Sequence, residues 1–329
     1  MVYRGAVAVP HAVEVITSRP DGIGLLFATN NASRSPAQVS DQLVGLGLAA
    51  TPSQVVTSAE AGAALLAGQL EPGSVVLAVG GPGVSQALAE AGLTPTLDAA
   101  DAMAVLQGYG ADVTVRDLTE AAYAVAGGAT WVATNRDATL PTDRGTAPGN
   151  GTLVSAVAVA SGRQPVVVGK PEPPLYELCL TRLDLGAKDV LAVGDRLDTD
   201  IAGAAAAGLD SLWVLTGVDS LESLVRSARD VRPTWVGEDL RVLDQPAPVV
   251  RRAEDWWICG DAQVRLDPTS PTGIDLGRGD HLVEMSDAVR RNTLLAAAVE
   301  VLLFARQHRD ADPRSLTTAA ANLNRAVFR

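Results

Sequence analysis

Three short segments place chemically capable side chains at the ends of apolar runs. In Phe27-Ala28-Thr29-Asn30-Asn31-Ala32-Ser33, hydroxyl and amide groups stand where a buried strand would give way to a helix. The Thr29 hydroxyl, the Asn30 N–H and the helix N-terminus could cradle a phosphate; a plain strand-to-helix turn with caps would use the same residues. Val168-Gly169-Lys170-Pro171 sets a lysine at a strand end, with Pro171 opening the next helix. Such a lysine can neutralise a phosphoryl oxygen as a point charge. The chain has 26 basic residues, and only Lys170 and Lys188 are lysines, which weakens the reading of Lys170 as ordinary surface. In Val193-Gly194-Asp195-Arg196-Leu197-Asp198-Thr199-Asp200-Ile201, three carboxylates follow a Val-rich run. Hard oxygen ligands on a tight turn suit Mg2+, which keeps several waters and takes few carboxylates. Acidic capping of the next helix explains one or two aspartates, and three less naturally.

The elements needed to position these segments are legible as apolar runs. Gly24–Ala28, Ser74–Val79, Ala104–Gln107, Thr130–Ala133, Pro165–Val168, Val190–Val193 and Leu212–Leu215 read as strands, with Ala-rich helical stretches between them. That alternation predicts βαβ units, parallel sheets and right-handed crossovers, an α/β fold. Parallel sheets place ligands at the carboxyl ends of their strands, where all three segments fall. Beyond a linker at Gln245-Pro246-Ala247-Pro248 the pattern changes. Trp256–Cys259 and Ala262–Leu266 predict a hairpin across Gly260-Asp261, Asp267–Gly279 a loop, and 286–307 and 313–326 two helices, a small α+β extension.

In this order and spacing, the three segments resemble motifs II, III and IV of haloacid dehalogenase-like (HAD) phosphatases. The long insertion between the first two resembles the class IIA cap, with Trp131-Val132-Ala133-Thr134-Asn135-Arg136-Asp137 and Pro148-Gly149-Asn150-Gly151 as further family-like phrases. The chain is similar to bacterial enzymes acting on glycerol 3-phosphate and phosphoglycolate, some with a comparable C-terminal extension. The resemblance implies a Rossmann-like core of residues 1–57 and 166–245, a cap of residues 58–165 and an extension of residues 246–329. It implies that Thr29 binds the transferring phosphoryl group with help from Asn30 and Asn31, that Lys170 stabilises its charge, and that Asp195 is the Mg2+ ligand. Asp200 would orient Lys170 or a metal-bound water. Asn135, Asp137 and Arg144 would face the site from the cap and read the alcohol part of the substrate, although Arg144 also fits a solvated loop.

The family opens with Asp-x-Asp-Gly, two small apolar residues, an aromatic residue, Arg and Gly. Met1-Val2-Tyr3-Arg4-Gly5 fits the tail of that motif. The implied nucleophilic and acid/base aspartates would precede Met1, and with them the family's central first strand. Residues 1–329 are therefore expected to be inactive alone, with a misplaced start as the preferred explanation: a GTG valine codon inside the motif can be read as Met. A non-catalytic paralogue that binds phosphate esters is the alternative. Glu14, in the first helix, and Asp21 read as surface residues rather than replacements.

Bulk properties narrow the partners. A net charge of −12 argues against nucleic acid and anionic membrane surfaces, but not against a small anionic substrate. No apolar run is long enough for a membrane span, no secretory signal is evident, and Cys179 and Cys259 stand far apart, so a reduced cytoplasmic protein is expected. The helix around 294–304 is apolar on most of its circumference and must be covered by the tail's own sheet or by another chain, which makes a homodimer an expectation.

Overall fold

A computed structural model describes residues 1–5, 7–142, 144–228, 230–266, 274–277, 288–308 and 313–327. The fold is α/β, with two compact units: residues 22–186, and residues 1–21 together with 187–329. The expected boundaries near 57, 165 and 245 fall inside these units.

At the N-terminus, β1 (Tyr3–Arg4) and β2 (Val7–Ala8) pair antiparallel, and α1 (Ala12–Thr17) follows. Residues 22–186 begin with β3 (Phe27–Thr29) and α2 (Pro36–Gly45). Ser35 caps α2 by accepting the Gln38 N–H, and the Gln38 side chain returns to the Ser35 N–H, with Pro36 opening the helix. β4 (Val55–Thr57) lies parallel to β3 with Thr29 opposite Thr57, and runs straight into α3 (Ser58–Ala67). Next come β5 (Val75–Val79), α4 (Pro82–Glu90), β6 (Thr94–Thr96), β7 (Ala104–Gln107), α5 (Val115–Ala126) and β8 (Thr130–Ala133). The antiparallel hairpin of β9 (Thr139–Thr142) and β10 (Gly145–Pro148), α6 (Asn150–Ser161), β11 (Val166–Val167) and α7 (Pro174–Leu183) complete the unit.

Five of these strands form one parallel sheet in the order β11-β8-β7-β5-β6. Its inner strands β5, β7 and β8 are covered on both faces, which is why they read as unbroken apolar runs. Alternate residues divide between two cores. Val76, Ala78, Leu106 and Val132 pack with α3, α4 and α7, whereas Leu77, Val79, Val105 and Trp131 pack with α5 and α6. The parallel pair β3 and β4 forms a separate two-stranded sheet.

In the second unit β12 (Leu191–Gly194), α8 (Ala202–Ala206), β13 (Asp210–Val214), α9 (Leu221–Arg226) and β14 (Trp235–Gly237) build a parallel sheet in the order β12-β13-β14. Val9, Ala12 and Val15 of the N-terminal segment cover one face with Leu212, Val214 and Leu240. The tail contributes an antiparallel meander of β15 (Arg251–Ala253), β16 (Trp256–Cys259), β17 (Ala262–Leu266) and β18 (Ile274–Gly277), then α10 (Ala288–His308) and α11 (Pro313–Val327). The hairpin across Gly260 forms with the expected strands, and Gly260 takes the left-handed conformation that its turn requires (φ 56°). The expected loop at 267–279 is corrected in part: Ile274–Gly277 alternates apolar and polar residues and pairs with β17. The start expected for α10 at Ser286 lies outside the described residues.

The apolar circumference of α10 is covered within its own unit. Leu295, Ala297, Ala298, Val301 and Leu302 are buried among Trp213, Leu224, Trp257 and Val264. Trp257 stacks obliquely on Phe304, ring centroids 5.0 Å apart, as a core residue. Among the described residues no helix is long and apolar enough to cross a membrane.

Candidate functional site

In the unit of residues 22–186, the candidate residues meet at the carboxyl ends of β3, β8 and β11. Thr29 ends β3, and its hydroxyl oxygen accepts the Asn31 N–H at 3.1 Å, which leaves its own proton for another acceptor. The Asn31 side chain turns inward on the loop and accepts from Ser33 N (3.0 Å) and Ser33 Oγ (2.8 Å). The Asn30 side chain reaches across to the lysine segment. Its Oδ1 accepts the Lys170 N–H at 2.8 Å and its Nδ2 donates to the Lys170 carbonyl at 2.9 Å. Lys170 Nζ donates to the Ala28 carbonyl at 3.1 Å, so the ammonium lies along the end of β3. Gly169 permits this approach, since a Cβ there would overlap the Thr134 carbonyl and stand 2.8 Å from Asn30 Oδ1.

Asn135 follows β8 and is 4% exposed. Its Nδ2 donates to the Asn30 carbonyl at 2.8 Å, and its Oδ1 accepts the Asp137 N–H at 3.1 Å. Thr29, Asn30, Asn31, Asn135, Asp137 and Lys170 are thus joined by hydrogen bonds or chain neighbourhood. Arg144 sits apart, exposed at the turn of the β9–β10 hairpin, with its backbone N–H on Thr142 Oγ1. Ser58 was not evident from sequence. It is fully buried and donates to the Asn30 carbonyl at 2.8 Å.

Asp195 and Asp200 belong to the other unit, at the carboxyl end of β12. Asp195 Oδ1 stands 3.2 Å from the Met1 ammonium, and Oδ2 accepts the Val218 N–H at 3.2 Å. Asp195 offers a hard, part-exposed carboxylate, a donor type that fits a divalent cation. Among the described residues no group of three His, Cys, Asp or Glu side chains is placed to hold a metal. Mg2+ needs no such cage, because one or two carboxylates and several waters suffice.

The remaining carboxylates have other duties. Asp200, 8% exposed, accepts the Asp195 N–H (3.2 Å) and the Arg196 N–H (3.1 Å) through Oδ2 and so holds the turn that carries Asp195. Asp198 is exposed and pairs with Arg196 at 2.9 Å. Leu197–Ile201 winds as a π-helical turn, a feature frequent at functional sites. Asp219 and Gly217, also not evident from sequence, complete the support. Asp219 Oδ2 accepts the Leu197 N–H at 2.7 Å, and a Cβ on Gly217 would overlap the Asp195 carboxylate. Asp200→Ala leaves two backbone donors of a largely buried turn without their acceptor. It is expected to destabilise the protein by about 1–3 kcal/mol, read as a lower urea midpoint at unchanged slope.

Neither cysteine offers a thiolate. Burial pushes the Cys179 thiol up to about 11 and also raises that of Cys259.

An α/β fold with Thr and Lys segments at strand ends of one unit and an Asp segment at a strand end of the other points to a class, and the comparisons agree. A model described as haloacid dehalogenase-like hydrolase matches residues 1–94, and a HAD-hydrolase-like model matches residues 167–243. An acid sugar phosphatase of Staphylococcus saprophyticus is 37% identical over 240 residues, covering 73% of this chain and 91% of that protein. The chain belongs to the family of haloacid dehalogenase-like hydrolases. D-Glycerol 3-phosphate phosphatase of Mycobacterium tuberculosis is 50% identical over 226 residues, a match that spans 68% of this chain and 64% of that protein. The crystal structure of a glycerol phosphate phosphatase from the same organism, in complex with magnesium, superposes with a TM-score of 0.77 at 41% identity, covering 91% of this chain and 87% of that one.

Proposed function

We propose that this protein hydrolyses a small phosphate monoester with Mg2+, with glycerol 3-phosphate as the first candidate substrate and phosphoglycolate as the second. The observation that carries the reading is the double hydrogen bond from Asn30 to the Lys170 backbone, which fixes a hydroxyl donor, Thr29, relative to a cation. The similarity to phosphatases of glycerol 3-phosphate and of acid sugars supports the choice of substrate class.

Each residue then has a role. Thr29 donates its hydroxyl proton to a phosphoryl oxygen, assisted by the turn of Asn30 and Asn31. Lys170 opposes the charge that builds on the phosphoryl oxygens in the transition state. Asp195 holds Mg2+, and Asp200 keeps Asp195 in place. Bound Mg2+ supplies charge neutralisation without proton transfer. Asp137 and Arg144 are assigned to the alcohol end of the substrate, whereas the expected substrate contact of Asn135 gives way to a supporting one, because its side chain is buried and spent on Asn30 and Asp137. In functional terms, residues 1–57 and 166–245 act as the core, 58–165 as the cap and 246–329 as the extension.

The nucleophile is the finer part of the proposal. Met1–Gly5 resembles the tail of the family's first motif, so we place both of that motif's aspartates in residues encoded ahead of Met1. The first would attack phosphorus and form an aspartyl-phosphate as the ester P–O bond breaks. The second would give its proton to the departing alkoxide and then take one from the hydrolytic water. Phosphate release from glycerol 3-phosphate and phosphoglycolate, with and without Mg2+, tests this in residues 1–329 and in the longer gene product. Release by the longer form alone, and only with Mg2+, is expected. Folded protein and no release from either form would leave the alternative, a phosphate-ester-binding protein without turnover.

A further inference from the structure

We propose that Ser58 is a positioning residue for the phosphoryl-binding turn: with Asn135 it fixes the Asn30 carbonyl, and through the Asn30 side chain it fixes Lys170. What the turn does rests on the function proposed above; how it is held does not.

The Asn30 peptide is gripped from two sides. Its carbonyl has two lone-pair directions, and two side chains donate to it, Ser58 Oγ at 2.8 Å and Asn135 Nδ2 at 2.8 Å. Its side-chain amide is engaged at both its oxygen and its nitrogen by the Lys170 N–H and carbonyl. Asn30 therefore works as a splint between the β3 end and the lysine.

Ser58 is not needed as a cap. Thr57 caps α3, accepting the Glu60 N–H at 3.2 Å while Glu60 Oε2 takes the Thr57 N–H at 2.8 Å. The Ser58 hydroxyl, first in the helix, is spared for an acceptor 28 residues away. Its base is rigid, because Glu60 also pairs with Arg182 at 2.9 Å and Arg182 donates to the Val55 carbonyl at 2.7 Å. Asn135 is equally fixed, since its carbonyl accepts from Asn150 Nδ2 at 2.9 Å and Asn150 is 1% exposed. The Asn30 carbonyl is thus held by two independently anchored donors, and a small displacement there passes directly to Lys170. Displacements of about 1 Å at a reacting centre can cost roughly 100-fold in rate.

The test is amide hydrogen exchange in Ser58→Ala, Asn135→Asp and the double variant, read at Lys170, whose N–H is held by Asn30, and at β7 as an internal control. Each single change is expected to speed Lys170 exchange about tenfold, with β7 as in wild type, and the double to resemble the larger single because both act on one carbonyl. Asn135→Asp provides the same readout should Ser58→Ala fail to fold. In a form that turns over, kcat is expected to fall roughly 10- to 100-fold with KM within about twofold. Ser58→Thr, which keeps the hydroxyl, should recover most of it. Unchanged Lys170 exchange in both single variants, or effects that multiply in the double, overturns the proposal. Absence of phosphatase activity in wild type sinks the functional reading instead, and the exchange result still decides the positioning claim.

Discussion

Lys170→Met is expected to lower kcat by roughly 100- to 1000-fold, the range seen when one preorganised donor to a developing oxyanion is removed. The stem keeps its length and loses its charge. The backbone bonds to Asn30 involve only the Lys170 N–H and carbonyl, so the loop should stay in place and the melting temperature should move by no more than a few degrees. Lys170→Arg should not rescue the rate. The ammonium is a compact donor set against the Ala28 carbonyl at 3.1 Å, and a planar guanidinium fork reaches further and bonds in a different geometry. Steady-state kinetics of a form that turns over checks both variants, and a Lys170→Met rate within tenfold of wild type would remove the lysine from the chemistry.

Asp195→Asn should abolish the response to Mg2+. Asparagine still offers one oxygen to the Val218 N–H, now accepted by Oδ2 at 3.2 Å, so the fold should persist. The charge that attracts a cation is gone. A ligand that binds only the folded state stabilises it by about 2.7 kcal/mol at 100 times its Kd, a shift of several degrees for a protein of this kind. Wild type is expected to show a Mg2+-dependent rise in melting temperature and Asp195→Asn none, with a loss of turnover of at least about 1000-fold. An undiminished shift in Asp195→Asn would place the cation elsewhere.

What could be read from the sequence, and what could not, has physical causes. β7 and β8 were legible to the residue because both faces of these strands are buried and the runs Ala104–Gln107 and Thr130–Ala133 stop at Gly108 and Thr134. β6 was not, because Thr94-Pro95-Thr96 carries a proline, tolerated only because this strand lies at the sheet edge. Pro141 hides β9 in the same way. At the site, Thr29, Lys170 and Asp195 were singled out by type and strand-end position, but a cap, a surface lysine and an acidic helix start use the same residues, and it was their order and spacing, through the family resemblance, that joined them. The role of Asn30 was hidden, since its partner lies 140 residues further along. Ser58 was masked by a local explanation: Thr57-x-x-Glu60 reads as a capping box, and that pattern accounts for the helix start without giving Ser58 any task. Asp219 and Gly217 were missed because the support of the Asp195 turn comes from the loop after the next strand, which no local pattern announces.

The most direct measurement is acid-quenched mass spectrometry of a form extended upstream of Met1 to carry the proposed motif, after mixing with glycerol 3-phosphate and Mg2+. Phosphate on an aspartate of the peptide preceding Val2, dependent on Mg2+ and lost in Lys170→Met, is the predicted result. Phosphate release with no phosphorylated aspartate at any quench time would contradict phosphoryl transfer through this site.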